Sequence, residues 1–153
     1  MFWTRSAAPF AAAFDDVAAL NLLFVVQFTV TRYSRDLDAY TPRAADAVAQ
    51  ISALAREFSP RAVVWRYDPL VFTSMTPAAW HIRNFADLAG KLAGLVDECV
   101  NSAAQNYKKT ERRLNIATQT HEFICQDPDW DEKRGVLSGL ANIAAGLGIE
   151  TTI

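Results

Sequence analysis

The chain has 153 residues, of which 51% are hydrophobic and 21% are charged, and its formal net charge is −2. This composition is typical of a globular protein, and the length predicts a single domain over residues 1–153. The small negative charge provides no basic field that would draw nucleic acid or an anionic membrane surface to the chain. The longest strongly apolar stretch, LLFVVQFTV, is far shorter than the roughly 20 residues of a membrane helix. Two cysteines are too few for a disulfide framework, so we expect a soluble protein in a reducing compartment, the cytoplasm.

Strand-like and helix-like patterns alternate along the chain, and the alternation predicts the fold class. The predicted strands are residues 1–4, 23–31, 61–69, 99–103 and 149–153. The predicted helices are 11–20, 43–58, 77–95, a polar segment at 105–119, and 132–147. Strands separated by helices are parallel and joined by right-handed crossovers. The sequence therefore predicts an α/β protein, a partial (β/α) barrel-like parallel sheet of about five strands. The absence of a G-x-G-x-x-G or P-loop motif counts against a nucleotide-binding open sheet.

The third predicted strand carries two charges where a core strand should be apolar. Within VVWRYDPL, Arg66 and Asp68 alternate with Trp65 and Tyr67 and so lie on the opposite face. In a parallel barrel, polar side chains at the carboxyl ends of strands face the inside and form the active site. Because a buried charge is costly without a partner, we expect Arg66 to bind a carboxylate or an anionic ligand. Gln27, Thr29 and Thr31 end the second strand with the same alternation and are predicted to line the same pocket.

A purely structural interpretation of these charges stays open at this stage. Arg66 and Asp68 can form an ion pair that only stabilises the fold, or Asp68 can cap the turn before Pro69. Trp65 and Tyr67 are interpreted as core residues. His81, on the apolar stripe of its helix, is interpreted as a core or boundary histidine.

Four segments resemble a bacterial family known only as a domain of unknown function. They are FWTRSAAPF, VQFTVTRY, VVWRYDPL and CVNSAAQNYKKTERRLN. Typical family patterns are F-W-T-K-N-P, F-Q-F-T-L-T-G-Y, V-I-W-R-Y-D-P-I and C-V-I-S-F-V-D-x-Y-x-K-T, and W-R-Y-D-P is the most specific of the shared elements. The resemblance implies a (β/α) barrel that ends in a cysteine cluster similar to the iron–sulfur motif of radical S-adenosylmethionine enzymes. The reaction and substrate of the family are unassigned.

The resemblance extends to many individual positions. Arg5 stands where the family has lysine, and Arg32 replaces its glycine. The identical positions include Trp3, Thr4, Gln27, Phe28, Thr29, Thr31, Trp65, Arg66, Tyr67, Asp68, Pro69, Ser102, Tyr107, Lys109 and Thr110.

The cysteine-rich end of the family pattern is missing from this sequence, which stops at GIETTI. Cys99 and Cys125 cannot replace it, because a cluster needs several thiolates at close spacing. We therefore expect the chain to be the middle part of a larger protein, with no cofactor or metal of its own. For full-length relatives, the resemblance implies an iron–sulfur cluster and S-adenosylmethionine.

Two other polar segments are interpreted as solvated. HEFICQDPD gathers His121, Glu122 and Cys125 with two aspartates, but it lacks the paired ligand spacing of a zinc site. YKKTERR places cations one helical turn apart, yet Glu111 lies among them.

Two functional hypotheses follow from the sequence, and whether the chain is itself an enzyme stays open between them. In the first, the chain is a fragment of a barrel enzyme that binds a small or anionic substrate. Arg66 would then bind the anionic group, and Asp68 would orient it or act as acid or base. The ligand-binding residues would be Arg5, Gln27, Thr29, Thr31, Ser102, Tyr107 and Lys109. In the second, the chain is a non-catalytic remnant or an assembly module that self-associates or completes its sheet with a partner chain.

Overall fold

The computed structural model describes residues 1–40, 42–104 and 123–153, which form five strands and four α-helices in alternation. The strands are β1 (Phe2–Thr4), β2 (Val26–Thr29), β3 (Val63–Leu70), β4 (Glu98–Ala103) and β5 (Glu150–Thr152). The helices are α1 (Ala11–Ala19), α2 (Ala44–Glu57), α3 (Ala78–Leu92) and α4 (Trp130–Gly146). Single 3-10 turns at Ala8–Phe10 and Pro60–Ala62 precede α1 and β3. The polar helix predicted at 105–119 lies outside the described residues. No helix in the described ranges is both long and apolar enough to cross a membrane.

The five strands make one parallel sheet in the order β1-β2-β3-β4-β5. This confirms the predicted α/β class with a parallel sheet of alternating strands and helices. Each strand pairs with its neighbour in sequence, which is the order of a parallel barrel. Doubly wound sheets, by contrast, reverse direction part-way through. Among the described strands, β1 and β5 are paired on one side only.

One face of the sheet is covered by all four helices, and we call it the helix face. Trp65 and Tyr67 of β3 and Phe28 of β2 lie on it, and each is fully buried. The hydrophobic core joins them to residues of every helix, among them Phe14, Ile51, Phe85 and Leu140. Trp65 stacks on the Phe85 ring, with ring centroids 4.7 Å apart. The interpretation of Trp65 and Tyr67 as core residues is therefore confirmed.

The other face carries the side chains that alternate with these, and we call it the polar face. It includes Gln27, Val64 and Arg66. Val64 is buried but does not belong to the core cluster beneath the helices. The alternation of side chains along each strand thus separates an apolar, helix-covered face from a face on which no described helix packs.

The observed element ends differ from the predicted ones by a few residues, for local reasons. Strand β2 is shorter than 23–31, because its partner β1 offers only three residues for pairing and Leu23 is fully exposed. Helix α4 begins two residues before the predicted start, because the Asp129 carboxylate accepts a 2.9 Å hydrogen bond from the backbone N–H of Glu132 and caps the helix. Gly148, predicted to stop this helix, has a left-handed φ of 73°.

Candidate functional site

Arg66 is the centre of a polar cluster on the polar face, midway along β3 and level with Thr29, the last residue of β2. Its Nε donates a 2.8 Å hydrogen bond to Asp68 Oδ1, and its Nη2 donates to Asp68 Oδ2, so the contact is bidentate. Its Nη1 donates a 2.6 Å hydrogen bond to Gln27 Oε1. The guanidinium carbon lies 4.2 Å from the centre of the Trp3 ring, a cation–π distance. A bidentate carboxylate, an amide oxygen and an aromatic ring thus hold one cation in place.

Strand register brings these residues together. Trp3 pairs with Gln27, and Thr29 pairs with Arg66, so three neighbouring strands place side chains of the polar face side by side. Trp3 Nε1 donates a 3.3 Å hydrogen bond to Thr29 Oγ1, which orients the indole. Arg66 and Asp68, two residues apart on one strand, share a face as the alternation predicts.

Ser102 extends the cluster onto β4. Its hydroxyl donates a hydrogen bond of 3.4 Å to Asp68 Oδ2, across the pairing of β3 with β4. The cluster therefore spans β1 to β4. Five of its residues were assigned to the candidate site from the sequence, and the sixth is Trp3. We call this set the Arg66 cluster: Trp3, Gln27, Thr29, Arg66, Asp68 and Ser102.

The Arg66–Asp68 pair is shielded from water but not sealed off from it. The side chains of Arg66 and Asp68 are 15% and 9% exposed. The hydrogen bond to Asp68 raises the pKa of the Arg66 guanidinium, although its partial burial acts in the opposite direction. A guanidinium has five N–H donors. Asp68 and Gln27 take three of them, and the other two have no acceptor among the described residues.

The remaining predicted site residues lie apart from these contacts. Arg5 forms an ion pair with Asp38 at the surface. Thr31 is buried beyond the end of β2, and its carbonyl oxygen accepts a 2.8 Å hydrogen bond from Asn84. Tyr107 and Lys109 lie outside the described residues.

A second polar network lies on the helix face, at the same end of the sheet. His81 is fully buried, which agrees with its interpretation as a core histidine. Its Nε2 lies 3.2 Å from the carbonyl oxygen of Val71, which can only accept, so Nε2 carries the proton. Nδ1 then accepts from the Tyr67 hydroxyl at 3.2 Å, and that hydroxyl in turn accepts from Asn84 Nδ2 at 2.9 Å. Contacts with described residues therefore determine both the tautomer of His81 and the orientation of the Asn84 amide.

Burial controls the charge state of this network. It lowers the pKa of His81 from 6.5 to about 4, so the imidazole is neutral near neutral pH. Burial also raises the pKa of Tyr67 and of Tyr33 far above their ordinary value. The Tyr33 hydroxyl donates to the carbonyl oxygen of Pro69 at 2.7 Å and accepts from the N–H of Val71 at 3.0 Å, which joins the segment after β2 to the end of β3. The network is uncharged near neutral pH, and its hydrogen bonds join the segments that follow the strands.

Sequence reasoning did not assign a ligand role to Trp3, and it missed a cavity beside Asn84 altogether. Trp3 sits in a three-residue strand whose signals were its aromatic character and its match to the family pattern. The indole of Trp3 is 64% exposed and lies against the Arg66 guanidinium. The register with Gln27 explains this position, which the local sequence pattern does not reveal. The residues around Asn84 come from two loops and a helix with no motif spacing.

Comparison with known proteins identifies a family. The model of the family described as Domain of unknown function (DUF1848) matches residues 1–153. The chain belongs to this family. None of the curated proteins compared with the chain matches it, and neither does any solved structure. Membership of DUF1848 confirms the resemblance to a domain of unknown function, and the family description gives no activity.

The described cysteines of this DUF1848 chain do not fit an iron–sulfur cluster. Cys99 lies on the helix face of β4, fully buried, and its thiol contacts Asn101 Oδ1 at 3.6 Å. Burial raises the pKa of Cys99 and of Cys125, whereas a cluster ligand must be a thiolate. Within the described ranges, no group of three or more His, Cys, Asp or Glu side chains could hold a metal ion.

Proposed function

We propose that this chain is part of a (β/α)-barrel enzyme and that the Arg66 cluster binds an anionic group of its substrate. The observation that carries the proposal is the guanidinium of Arg66, which lies on the polar face level with the carboxyl end of β2 and has two N–H donors without a partner among the described residues. Carboxylates and phosphates match the planar geometry of these donors. The carboxyl ends of parallel strands are where α/β enzymes bind their ligands.

The neighbouring residues would then have distinct roles. Asp68 holds the guanidinium through a bidentate contact and so presents its free N–H groups in one fixed direction. Trp3 covers one face of the guanidinium and limits its hydration. Ser102 and Gln27 offer hydrogen-bonding groups beside the bound anion. In the enzyme, Asp68 would act as the acid or base if the reacting atom lies within hydrogen-bond reach of its carboxylate.

The radical S-adenosylmethionine affiliation is a further part of the proposal and rests on the sequence resemblance alone. An iron–sulfur cluster would supply one-electron chemistry to the full-length relatives. The described residues would contribute substrate binding and no cluster ligands, which is in keeping with the burial of Cys99.

The anion site can be tested by thermal unfolding with a panel of small carboxylates and phosphates, including malate, citrate and inorganic phosphate. We expect at least one of them to raise the melting temperature of the wild type and of Arg61→Ala but not of Arg66→Ala. Arg61 is a matched control, because its side chain is 90% exposed at the opposite end of β3. A ligand that stabilises Arg66→Ala as much as the wild type would refute the site. If Arg66→Ala lowers stability and the wild type responds to no anion, the pair is structural.

An assembly role is the second candidate, and the unpaired edges of the sheet favour it. Within the described chain, β1 and β5 each lack a neighbour on one side, and exposed strand edges tend to pair with other chains. Leu22 and Leu23, before β2, are also exposed. Sedimentation over a wide concentration range tests this candidate, since a strictly monomeric chain at high concentration would rule out self-association.

A further inference from the structure

A second cavity lies beyond the carboxyl ends of β2 and β3, on the side of α3. It has a volume of about 390 Å³. This is within the range of roughly 300–1,000 Å³ of small-molecule pockets. Arg32 and Ser34 line it from the segment after β2, Thr76 from the segment before α3, and Trp80, Arg83 and Asn84 from the first two turns of α3. None of these residues belongs to the Arg66 cluster.

The lining of this cavity is positively charged. Arg32 and Arg83 contribute two guanidinium groups, and none of the described lining residues is acidic. The Arg32 side chain forms an ion pair with Asp87, whose carboxylate also accepts a 2.8 Å hydrogen bond from Lys91 Nζ. Asp87 is therefore shared between two cations, and Arg83 has no ion pair with any described residue. An excess of positive charge remains for an anion.

Asn84 provides a hydrogen-bond acceptor at this cavity. The residue is only 7% exposed, and both hydrogens of its Nδ2 are used, one on the carbonyl oxygen of Thr31 and one on the Tyr67 hydroxyl. Its Oδ1 accepts no hydrogen bond from any residue that the structure describes. It is not among the buried side-chain atoms without a partner, and an acceptor open to water can exchange that water for a donor on a ligand. Because Asn84 lines the cavity, a ligand with a hydroxyl or amino group can supply that donor.

The backbone at Arg32 supports a binding role. Its φ of 60° lies in the left-handed region, which residues with a Cβ disfavour. Such backbone conformations cluster at ligand sites, where the surrounding structure maintains them. Here the conformation occurs at the residue that places a guanidinium on the cavity.

We propose that this cavity binds a small molecule that carries a carboxylate or phosphate group and a hydroxyl or amino donor. Arg32 and Arg83 bind the oxyanion, and Asn84 Oδ1 accepts a hydrogen bond from the donor. The site is separate from the Arg66 cluster, which lies on the polar face of the sheet, so the proposal goes beyond the function proposed above.

The indole N–H signals of the four tryptophans can locate binding by NMR in the 153-residue chain. Trp80 lines the cavity, whereas Trp3 lies on Arg66. We would titrate the chain with glycerol 3-phosphate and with methyl phosphate, which share the anion but differ in hydroxyl donors. We expect both to shift the Trp80 signal, and glycerol 3-phosphate to bind several-fold more tightly, since only it can donate to Asn84.

Two substitutions assign the anion contact. Arg83→Gln should raise the dissociation constant of both probes by about tenfold or more, as expected for a lost charge-assisted hydrogen bond. Arg56→Gln is the matched control, since Arg56 is also an exposed helix arginine and its loss changes the net charge equally. Arg32→Gly should weaken binding to a similar degree without unfolding the chain, because glycine accepts the left-handed backbone.

Several results would overturn the proposal. Binding that shifts Trp3 and leaves Trp80 unchanged would place the anion at the Arg66 cluster. Equal weakening by Arg56→Gln and Arg83→Gln would mean that the phosphate senses only net charge. Equal affinity for the two probes would remove Asn84 from the site, and no shift at Trp80 with either probe would remove the site itself.

Discussion

Removal of Asp68 should destabilise the fold by more than the loss of an ordinary surface ion pair. Asp68→Ala leaves the Arg66 guanidinium, 15% exposed, with Gln27 as its remaining hydrogen-bond partner. Breaking a fully buried pair costs about 3–5 kcal/mol, and partial access to water reduces this, so we expect about 2–3 kcal/mol. Arg66→Met should lower the free energy of unfolding by about 3 kcal/mol. It leaves the Asp68 carboxylate, which is 9% exposed beside Ser102, without its cation, and it removes the cation–π contact with Trp3.

The double variant separates the interaction from the side effects of each substitution. Arg66→Met with Asp68→Ala leaves no unpaired charge, so it should cost less than the sum of the single changes, with a coupling energy of about 2–3 kcal/mol. Urea unfolding at neutral pH measures the free energy of unfolding of the wild type, the two single variants and the double variant. The melting temperature of each single variant should fall by roughly 4–10 °C for a chain of this size. Additive effects, with coupling below about 0.5 kcal/mol, would refute the claim that the two charges are held together in the folded state.

Two further predictions concern His81 and the α4 helix. Since burial lowers the pKa of His81 from 6.5 to about 4, the unfolded chain binds more protons in this interval. The free energy of unfolding should therefore decrease as the pH is lowered from about 6.5 to about 4, by up to about 3 kcal/mol. In urea titrations over the same pH range, His81→Gln should show a smaller decrease. On α4, Gly135→Ala should raise stability by about 0.5–1 kcal/mol, because its Cβ would meet nothing within 4 Å. Gly139→Ala should raise stability less, or lower it, because its Cβ would lie 2.8 Å from Ile82 Cδ1. Equal increases in melting temperature for the two variants would contradict the packing of α3 on α4.

Side-chain alternation along the strands predicts part of the Arg66 cluster. Alternation within β3 was enough to place Arg66 and Asp68 on one face, because side chains two residues apart on a strand point the same way. The same rule placed Gln27 and Thr29 beside them once the strands were parallel. It did not extend to Thr31, which lies beyond the end of β2, where strand alternation no longer applies.

Other contacts depend on how separate segments meet in space. Trp3 covers Arg66 because β1 pairs with β2 in one particular register, and a three-residue strand carries no signal for that register. Arg5 lines a small cavity together with Thr29 and Thr31, and its side chain also pairs with Asp38, a partner 33 residues away. The choice between such partners is made by geometry outside the local sequence.

The sequence by itself determined the alternation of strands and helices, the parallel sheet and the two faces of β2 and β3. Those features follow from hydrophobic periodicity and side-chain alternation, which are local properties of the chain. Only the tertiary structure decided that two Arg66 donors have no acceptor within the described ranges, that the two Asn84 amide hydrogens are both used, and that Arg32 and Arg83 line one cavity. Each of these depends on hydrogen-bond partners and charges brought together from distant segments, and no local pattern encodes those distances.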